Sequence, residues 1–353
     1  MKLGVLDQVP IREGGSVIQA LQETFQLAQA VDRLGYTRYW LAEHHNTGSL
    51  ACTAPEIIIP QVAARTQRIR VGSGGVMLPH YSSFKVAEIF RLLDTLYPGR
   101  IDVGIGRAPG SDGRTARALA HGPGSLGLEH FPEQLADLAG FLNDDLPEAH
   151  PFHGVRAAPH PANDADLQPG RAPPLELWLL GSSNVGGTYA AEQGWAFSFA
   201  QFISPEGGED IVRNYKAHFQ PSVAWSKPVA SLGVSVTCAE TDEEAEELSW
   251  SRWFWRIKSN RGVRGGIPSP QAAHDFDYSP AELEYIDYMK TRSVYGSPAH
   301  VRDKLEEMGR IYDVDEFIVL TITYDFDARI RSYELLAEEF GIPSDSAAAT
   351  AEV

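Results

Sequence analysis

The sequence has little cysteine. Only Cys52 and Cys238 occur among its 353 residues, which excludes a disulfide framework and any cysteine-rich metal or iron–sulfur site. No window approaches the roughly 18 apolar residues of a membrane-spanning helix, and the first apolar run reaches Asp7 too early for a signal peptide. We therefore expect a cytoplasmic chain that has no membrane partner.

Positive charge is also scarce. The chain has 30 Lys and Arg residues against 47 Asp and Glu, a formal net charge of −17. Nucleic-acid binding needs a basic surface that displaces counterions, and an anionic membrane surface would be repelled as well. With 43% hydrophobic and 22% charged residues, the composition is typical of a globular protein with a sizeable core. We predict no nucleic-acid partner.

Several common catalytic motifs are missing. The stretch Gly104-Ile105-Gly106 continues to Pro109, where a dinucleotide-binding fingerprint needs a third glycine. Neither a GxSxG nucleophile elbow nor a GxxxxGK[ST] phosphate loop occurs. The sequence therefore does not support a serine hydrolase or a P-loop NTPase. No HExxH motif is present, and adjacent histidines rarely chelate one ion, so we predict no metal site.

What the sequence does contain is a regular alternation of short β-rich runs with amphipathic helical stretches. Eight strands, each followed by a helix, predict a (β/α)8 TIM barrel within the α/β class. A doubly wound sheet is the structural alternative, but the first and last strands both read as fully buried, which leaves no obvious edge. The predicted strands are Lys2–Leu6, Tyr36–Ala42, Ile69–Val76, Ile101–Ile105, Leu175–Leu180, Trp195–Phe199, Val229–Cys238 and Phe317–Thr323.

Two insertions interrupt this rhythm. The first, at about 108–174 after strand four, contains one helix around Phe131 and is otherwise irregular; the second, at about 259–290 after helix seven, is rich in Gly and Pro. We expect a single barrel domain over residues 1–345, with the insertions as candidate lids over its mouth, and a disordered tail over 346–353.

The C-terminal ends of the strands are where a barrel enzyme carries its chemistry. After strand two come His44 and His45, and because side chains alternate faces along a strand, only one of them can point into the mouth. An imidazole titrates near neutral pH and so suits proton transfer. The alternative is a pair of hydrogen-bonded structural histidines.

An anion site is indicated where strand five runs through Ser182 and Ser183 into a helix N-terminus. Exposed backbone N–H groups, two hydroxyls and the helix dipole together attract phosphate. Arg107, at the end of strand four, can supply the cation. The alternatives are an ordinary capping turn and an arginine paired with Asp102 or Asp112.

Two further groups are weaker candidates. Leu6 and Gln201 stand at the ends of strands one and six and could form part of a pocket wall. The second insertion begins beside Lys258 and carries Arg261 and Arg264 between glycines. These cations form either a mobile loop that clamps an anion or a solvated surface, and we favour the surface.

Five segments together resemble the bacterial luciferase-like, flavin-dependent monooxygenase family. The resemblance spans nearly the whole chain except the two insertions, and it is closer to single-chain FMN-using oxidoreductases than to two-subunit luciferases. The segments are residues 40–45 (WLAEHH), 69–79 (IRVGSGGVMLP), 93–107 (LDTLYPGRIDVGIGR), 295–298 (YGSP) and 332–337 (SYELLA).

This resemblance implies a TIM barrel and a set of cofactor-binding residues. Gly74-Gly75 falls where the family has a non-prolyl cis peptide, on which the isoalloxazine ring rests. Arg107 matches the family's phosphate-contacting arginine, and Ser182 and Ser183 match its phosphate-binding turn. His44 matches the histidine that acts in general acid/base chemistry near the flavin.

The resemblance also implies a function. The leading hypothesis is a monooxygenase that uses FMN, reduced by a separate flavin reductase, and O2 on a small organic substrate. The reactive cysteine of the luciferases is Gly106 here, so light emission and aldehyde specificity are not implied. Two alternatives stay open: deazaflavin-dependent hydride transfer, and a non-catalytic flavin-binding protein. A homo-oligomer is possible.

Overall fold

Parallel strands form the framework of the molecule. The structure is a computed structural model and describes residues 1–120, 127–159 and 175–343. The strands in these ranges are β1 (Lys2–Asp7), β2 (Arg38–Leu41), β3 (Arg70–Ser73), β4 (Val76–Met77), β5 (Ile101–Gly106), β6 (Glu176–Gly181), β7 (Ala196–Ala200), β8 (Ala230–Cys238), β9 (Val294–Gly296) and β10 (Glu316–Leu320).

Eight of these strands close into a ring in the order β1-β2-β3-β5-β6-β7-β8-β10. The closing strand β10 pairs in parallel with β1 on one side, where Lys2 lies opposite Glu316, and with β8 on the other, where Leu232 lies opposite Phe317. All residues of β5 and β8 are buried, as expected for strands covered on both faces. The (β/α)8 barrel is therefore confirmed, and the open doubly wound sheet is wrong.

Helices surround the ring. The first begins after Ser16, whose hydroxyl accepts a hydrogen bond from the Gln19 N–H, and ends at Gly35 in the left-handed conformation with φ 87°. No helix in the described ranges is long and apolar enough to cross a membrane. The helices are α1 (Val17–Leu34), α2 (Pro55–Ala63), α3 (Ser83–Leu96), α4 (Gly113–Leu119), α5 (Phe131–Asn143), α6 (Asn184–Gln193), α7 (Gly208–His218), α8 (Asp242–Asn260), α9 (Pro270–His274), α10 (Pro280–Arg292), α11 (Pro298–Tyr312) and α12 (Phe326–Glu339).

The described parts of the two insertions contain more helix than expected. The first contains α4 as well as α5, and the second contains α9 and α10. The prediction of an irregular second insertion is wrong because its Ser-Pro pairs start helices: Ser269 and Ser279 are N-caps, and Pro270 and Pro280 occupy the first helical position. Residues 160–174 of the first insertion and the predicted tail lie outside the described residues.

A buried charge cluster closes the bottom of the barrel. The fully buried Asp102 carboxylate accepts hydrogen bonds from Arg38 Nη1 at 2.6 Å, Arg70 Nε at 2.7 Å and Trp40 Nε1 at 2.9 Å. Arg38 also donates to Glu316 at 2.7 Å. Such a network is tolerated in a core only because every charge in it has partners.

A pair of glycines interrupts the third barrel strand. The strand predicted over residues 69–76 instead ends at Ser73 and resumes as the short β4, which pairs with β5. A Cβ at Gly75 would lie 2.7 Å from the Gly104 carbonyl oxygen and 2.9 Å from the Gly106 nitrogen. The backbone of the neighbouring strand therefore approaches too closely for any side chain at this position.

Gly75→Ala should destabilise the barrel by about 1–3 kcal/mol, because the added methyl group must displace rigid backbone. The free energy of unfolding is measured by denaturant titration. Gly113→Ala is the matched control, since a Cβ there meets nothing within 4 Å and alanine favours the helix. Equal stability of the two variants would contradict this account of the packing.

Candidate active site

An inner cavity of about 240 Å³ lies at the C-terminal ends of the barrel strands. The structure brings seven of the eight predicted site residues to its wall: Leu6, His44, Gly74, Gly75, Arg107, Ser182 and Ser183. The eighth, Gln201, lines an outer cavity of about 720 Å³ beside it. His44, Gln8, Phe202 and Ile203 line both cavities, so the two share a boundary.

The glycine pair forms a bare stretch of backbone in the wall of the inner cavity. The Gly74 N–H donates to the Leu41 carbonyl at 2.7 Å, and the peptide bond between Gly74 and Gly75 is cis, as the resemblance implies. A Cβ at Gly74 would lie 2.6 Å from Leu6 Cδ1 and 2.9 Å from Trp40 Cβ. Close packing inside the barrel therefore requires glycine here, and the same requirement leaves a flat surface open to the cavity.

Glu43 holds the backbone around the glycine pair in place, a role that is not evident from the sequence. Its fully buried carboxylate accepts hydrogen bonds from the Met77 N–H at 2.9 Å and the Tyr81 hydroxyl at 2.8 Å. His45 Nε2 lies 2.7 Å from the same carboxylate. The end of β2 is thereby tied to β4, and His45 is the structural member of the histidine pair.

His44 takes the other position, at the boundary between the cavities. Its Nδ1 lies 3.3 Å from the Ala42 carbonyl oxygen, while Nε2 has no hydrogen-bond partner among the described residues. Burial lowers the pKa of His44 and outweighs the hydrogen bond to Ala42, which raises it, so the neutral ring is favoured near pH 7. With Nδ1–H donating to Ala42, the free Nε2 can accept a proton.

Arg107 is exposed at the end of β5 and has no hydrogen bond or ion pair within the described part of the chain. Both acidic partners considered for it are engaged elsewhere. Asp102 belongs to the cluster at the bottom of the barrel, and Asp112 accepts from Arg264 Nη2 at 2.9 Å. The guanidinium of Arg107 is therefore available to an anion.

The first turn of α6 faces the same cavity. Ser183 is the N-cap of this helix, yet its hydroxyl makes no capping hydrogen bond. Ser182 makes no side-chain hydrogen bond within the described residues either. The Gly186 N–H donates to the Ser183 carbonyl oxygen at 3.1 Å, but the Asn184 and Val185 N–H groups have no acceptor within the described residues. Two hydroxyls, these two donors and Arg107 together can bind an anion.

The three cations singled out in the second insertion do not form an anion clamp. Lys258 contacts Glu13, Arg261 pairs with Glu282 at 2.6 Å, and Arg264 pairs with Asp112. The interpretation as a surface with paired charges fits these contacts. In residues 1–120, 127–159 and 175–343, no three His, Cys, Asp or Glu side chains cluster so that they could hold a metal ion.

Comparisons with known proteins agree with this fold. A family model described as luciferase-like monooxygenase matches residues 1–313. The uncharacterized protein YceB of Bacillus subtilis (strain 168) is 45% identical over 96% of this chain and 99% of its own length. A luciferase-like monooxygenase of Escherichia coli (strain K12) is 37% identical over 94% of both chains. The protein in the crystal structure of apo-MsnO8 is 36% identical in sequence. The match covers 97% of this chain and 98% of that chain, with a TM-score of 0.84. The chain therefore belongs to the luciferase-like monooxygenase family and is an oxidoreductase.

Proposed function

We propose that this enzyme uses reduced FMN and O2 to oxygenate a small organic substrate, and that a separate flavin reductase supplies the reduced FMN. The observation that carries the proposal is a set of anion-binding groups, Arg107, Ser182 and Ser183, in one cavity with the bare backbone at Gly74 and Gly75. The side chains of these three residues have no partner in the part of the chain that the structure describes. A phosphate joined to a flat ring system needs both features in one place.

The phosphate group of FMN would be bound by Arg107 and the α6 N-terminus. A guanidinium can donate two parallel hydrogen bonds to phosphate oxygens, and the helix dipole adds a favourable field. The chain carries a net charge of −17, so a dianion needs such a local cation. These groups would distinguish FMN from riboflavin, which lacks the phosphate.

The isoalloxazine ring would lie against Gly74 and Gly75, where the missing side chains leave room for a flat molecule. Leu6 and Leu180 line the same cavity and would shield the ring from water. Reduced FMN, when bound, supplies the electrons that activate O2. The chain lacks a dinucleotide-binding fingerprint, because Pro109 stands where the third glycine would be. Reduction of FMN by a partner enzyme is consistent with this.

His44 would act as the proton acceptor in the reaction. Its neutral ring and free Nε2 at the boundary of the two cavities place a proton acceptor between the cofactor side and the outer cavity. The outer cavity would then hold the organic substrate. Gln8, Phe202 and Ile203, which also line both cavities, would complete the wall between the two sites.

The proposal is tested by cofactor titration followed by reaction with oxygen. Quenching of flavin fluorescence gives the dissociation constants of FMN, riboflavin and the deazaflavin F420. The protein loaded with photoreduced FMN is then mixed with O2, and the absorbance is followed in a stopped-flow instrument. We expect a preference for FMN and an oxygen-dependent absorbance change. Binding of F420 without FMN would instead support hydride transfer by a deazaflavin.

Arg107→Ala should weaken FMN binding by roughly 10- to 100-fold, since a hydrogen bond to a charged group contributes about 1.5–3 kcal/mol. The affinity for riboflavin should hardly change, because the lost partner is the phosphate. Arg117→Ala, on the exposed face of α4 and outside both cavities, is the control. Equal losses for FMN and riboflavin would assign Arg107 a structural role instead.

His44→Asn should reduce turnover by roughly 10²- to 10⁴-fold, the usual contribution of a general acid or base, while the dissociation constant of FMN stays within about twofold. A lowered pKa means that the ring takes up its proton only below its ordinary value of about 6.5. Turnover should therefore hold at neutral pH and fall on the acid side of that value.

In His44→Asn the acid limb of the pH–rate profile should disappear. Steady-state rates are measured with a flavin reductase and NADH as the source of reduced FMN. His218→Asn, an exposed histidine on α7 that lines neither cavity, should keep both the rate and the profile. An unchanged acid limb in His44→Asn would remove His44 from proton transfer.

A further inference from the structure

The outer cavity has an unusual charge. Among the described residues, its wall includes four arginines, Arg252, Arg256, Arg264 and Arg292, but only one carboxylate, Asp112. This excess of positive charge occurs in a chain whose net charge is −17. A cavity that concentrates cations in an acidic protein favours an anionic ligand.

Two of the four arginines already have carboxylate partners. Arg264 donates to Asp112 and to Asn46, both at 2.9 Å, and Arg292 contacts Glu206. Their charges are therefore compensated within the protein. The unexplained positive charge of the cavity belongs to the other two residues.

Arg252 and Arg256 have no hydrogen bond or ion pair within the described part of the chain. They lie four residues apart on α8, which puts them on the same face of the helix. The Nε atom of Arg252 is out of contact with solvent and has no hydrogen-bond partner. Burial, together with the charge of Arg256, lowers the pKa of Arg252 to about 10.

An unpaired buried donor on a charged group is costly, and native proteins rarely keep one without a reason. Here the missing partner is an acceptor, and negatively charged oxygens are the strongest acceptors for a guanidinium. Trp255, Tyr285 and Met289 also line this cavity. These apolar and aromatic side chains suit the organic part of a ligand.

We propose that Arg252 and Arg256 bind the carboxylate of the enzyme's organic substrate and so orient the rest of the molecule toward the inner cavity. This inference rests on the proposed function and names the substrate class for it. The site is separate from the proposed phosphate site, because Arg252 and Arg256 do not line the inner cavity and Arg107 does not line the outer one.

The test compares carboxylic acids with their neutral amides of equal size. The probes are N-acetylglycine and its amide, 3-(methylthio)propionate and its amide, and 4-phenylbutyrate and its amide. Binding to the full-length protein is measured by isothermal titration calorimetry, with and without FMN. At least one acid should bind the wild-type protein about tenfold or more tightly than its amide, as expected for hydrogen bonds to a charged group.

Arg252→Gln and Arg256→Gln should each reduce this preference for the acid, and Arg252→Lys should keep part of it, because the charge stays while the two-pronged geometry is lost. Arg264→Gln is the matched control: it removes an equal charge from the same cavity, but one that Asp112 already compensates. The acid preference should survive there. Circular dichroism verifies that each variant is folded.

The absence of any acid preference in the wild-type protein, or a preference that survives in folded Arg252→Gln and Arg256→Gln, would overturn the inference. So would a loss of FMN affinity in Arg252→Gln that riboflavin does not share, because these residues would then bind the cofactor phosphate. A failure of the proposed function would give a different binding result. FMN would not bind, while the flavin-free protein would still prefer the acids.

Discussion

The buried carboxylate of Glu43 is the contact on which the geometry of the site depends. It joins the end of β2 to the chain that follows the glycine pair, through the Met77 N–H and the Tyr81 hydroxyl. A charge buried this deeply is stable only while its donors stay in place. The positions of His44 and of the bare backbone in the cavity wall are therefore linked, and neither can move without disturbing the other.

The arginines of the chain fall into groups that differ in what compensates their charge. Arg38 is neutralised by acids deep in the barrel, and Arg264 is neutralised at the surface of the outer cavity. Arg107, Arg252 and Arg256 have no such partner within the described residues. Because acids outnumber bases in this protein, an uncompensated arginine at a cavity wall is better explained by ligand binding than by a shortage of carboxylates.

Much of the fold and part of the site could be predicted from sequence. The barrel follows from the count of alternating elements. The rule that chemistry sits at strand ends points to Arg107 and Ser183, and both line the inner cavity. The helices of the second insertion were missed because proline at a first helical position resembles a loop signal. The sequence does not single out Arg252, because it stands beside apolar residues of its helix such as Trp253 and Phe254. Whether a charge is paired depends on contacts between distant segments, which spacing along the chain does not reveal.

The ring closes through strands from opposite ends of the chain, since β10 lies between β1 and β8. During synthesis, β1 emerges about 300 residues before its last neighbour, β10. The growing sheet therefore has an unpaired edge for most of translation, and unpaired edges invite association between nascent chains. The barrel cannot close before β10 has been made, and production of this protein should depend on how well that edge is shielded until the final strand arrives.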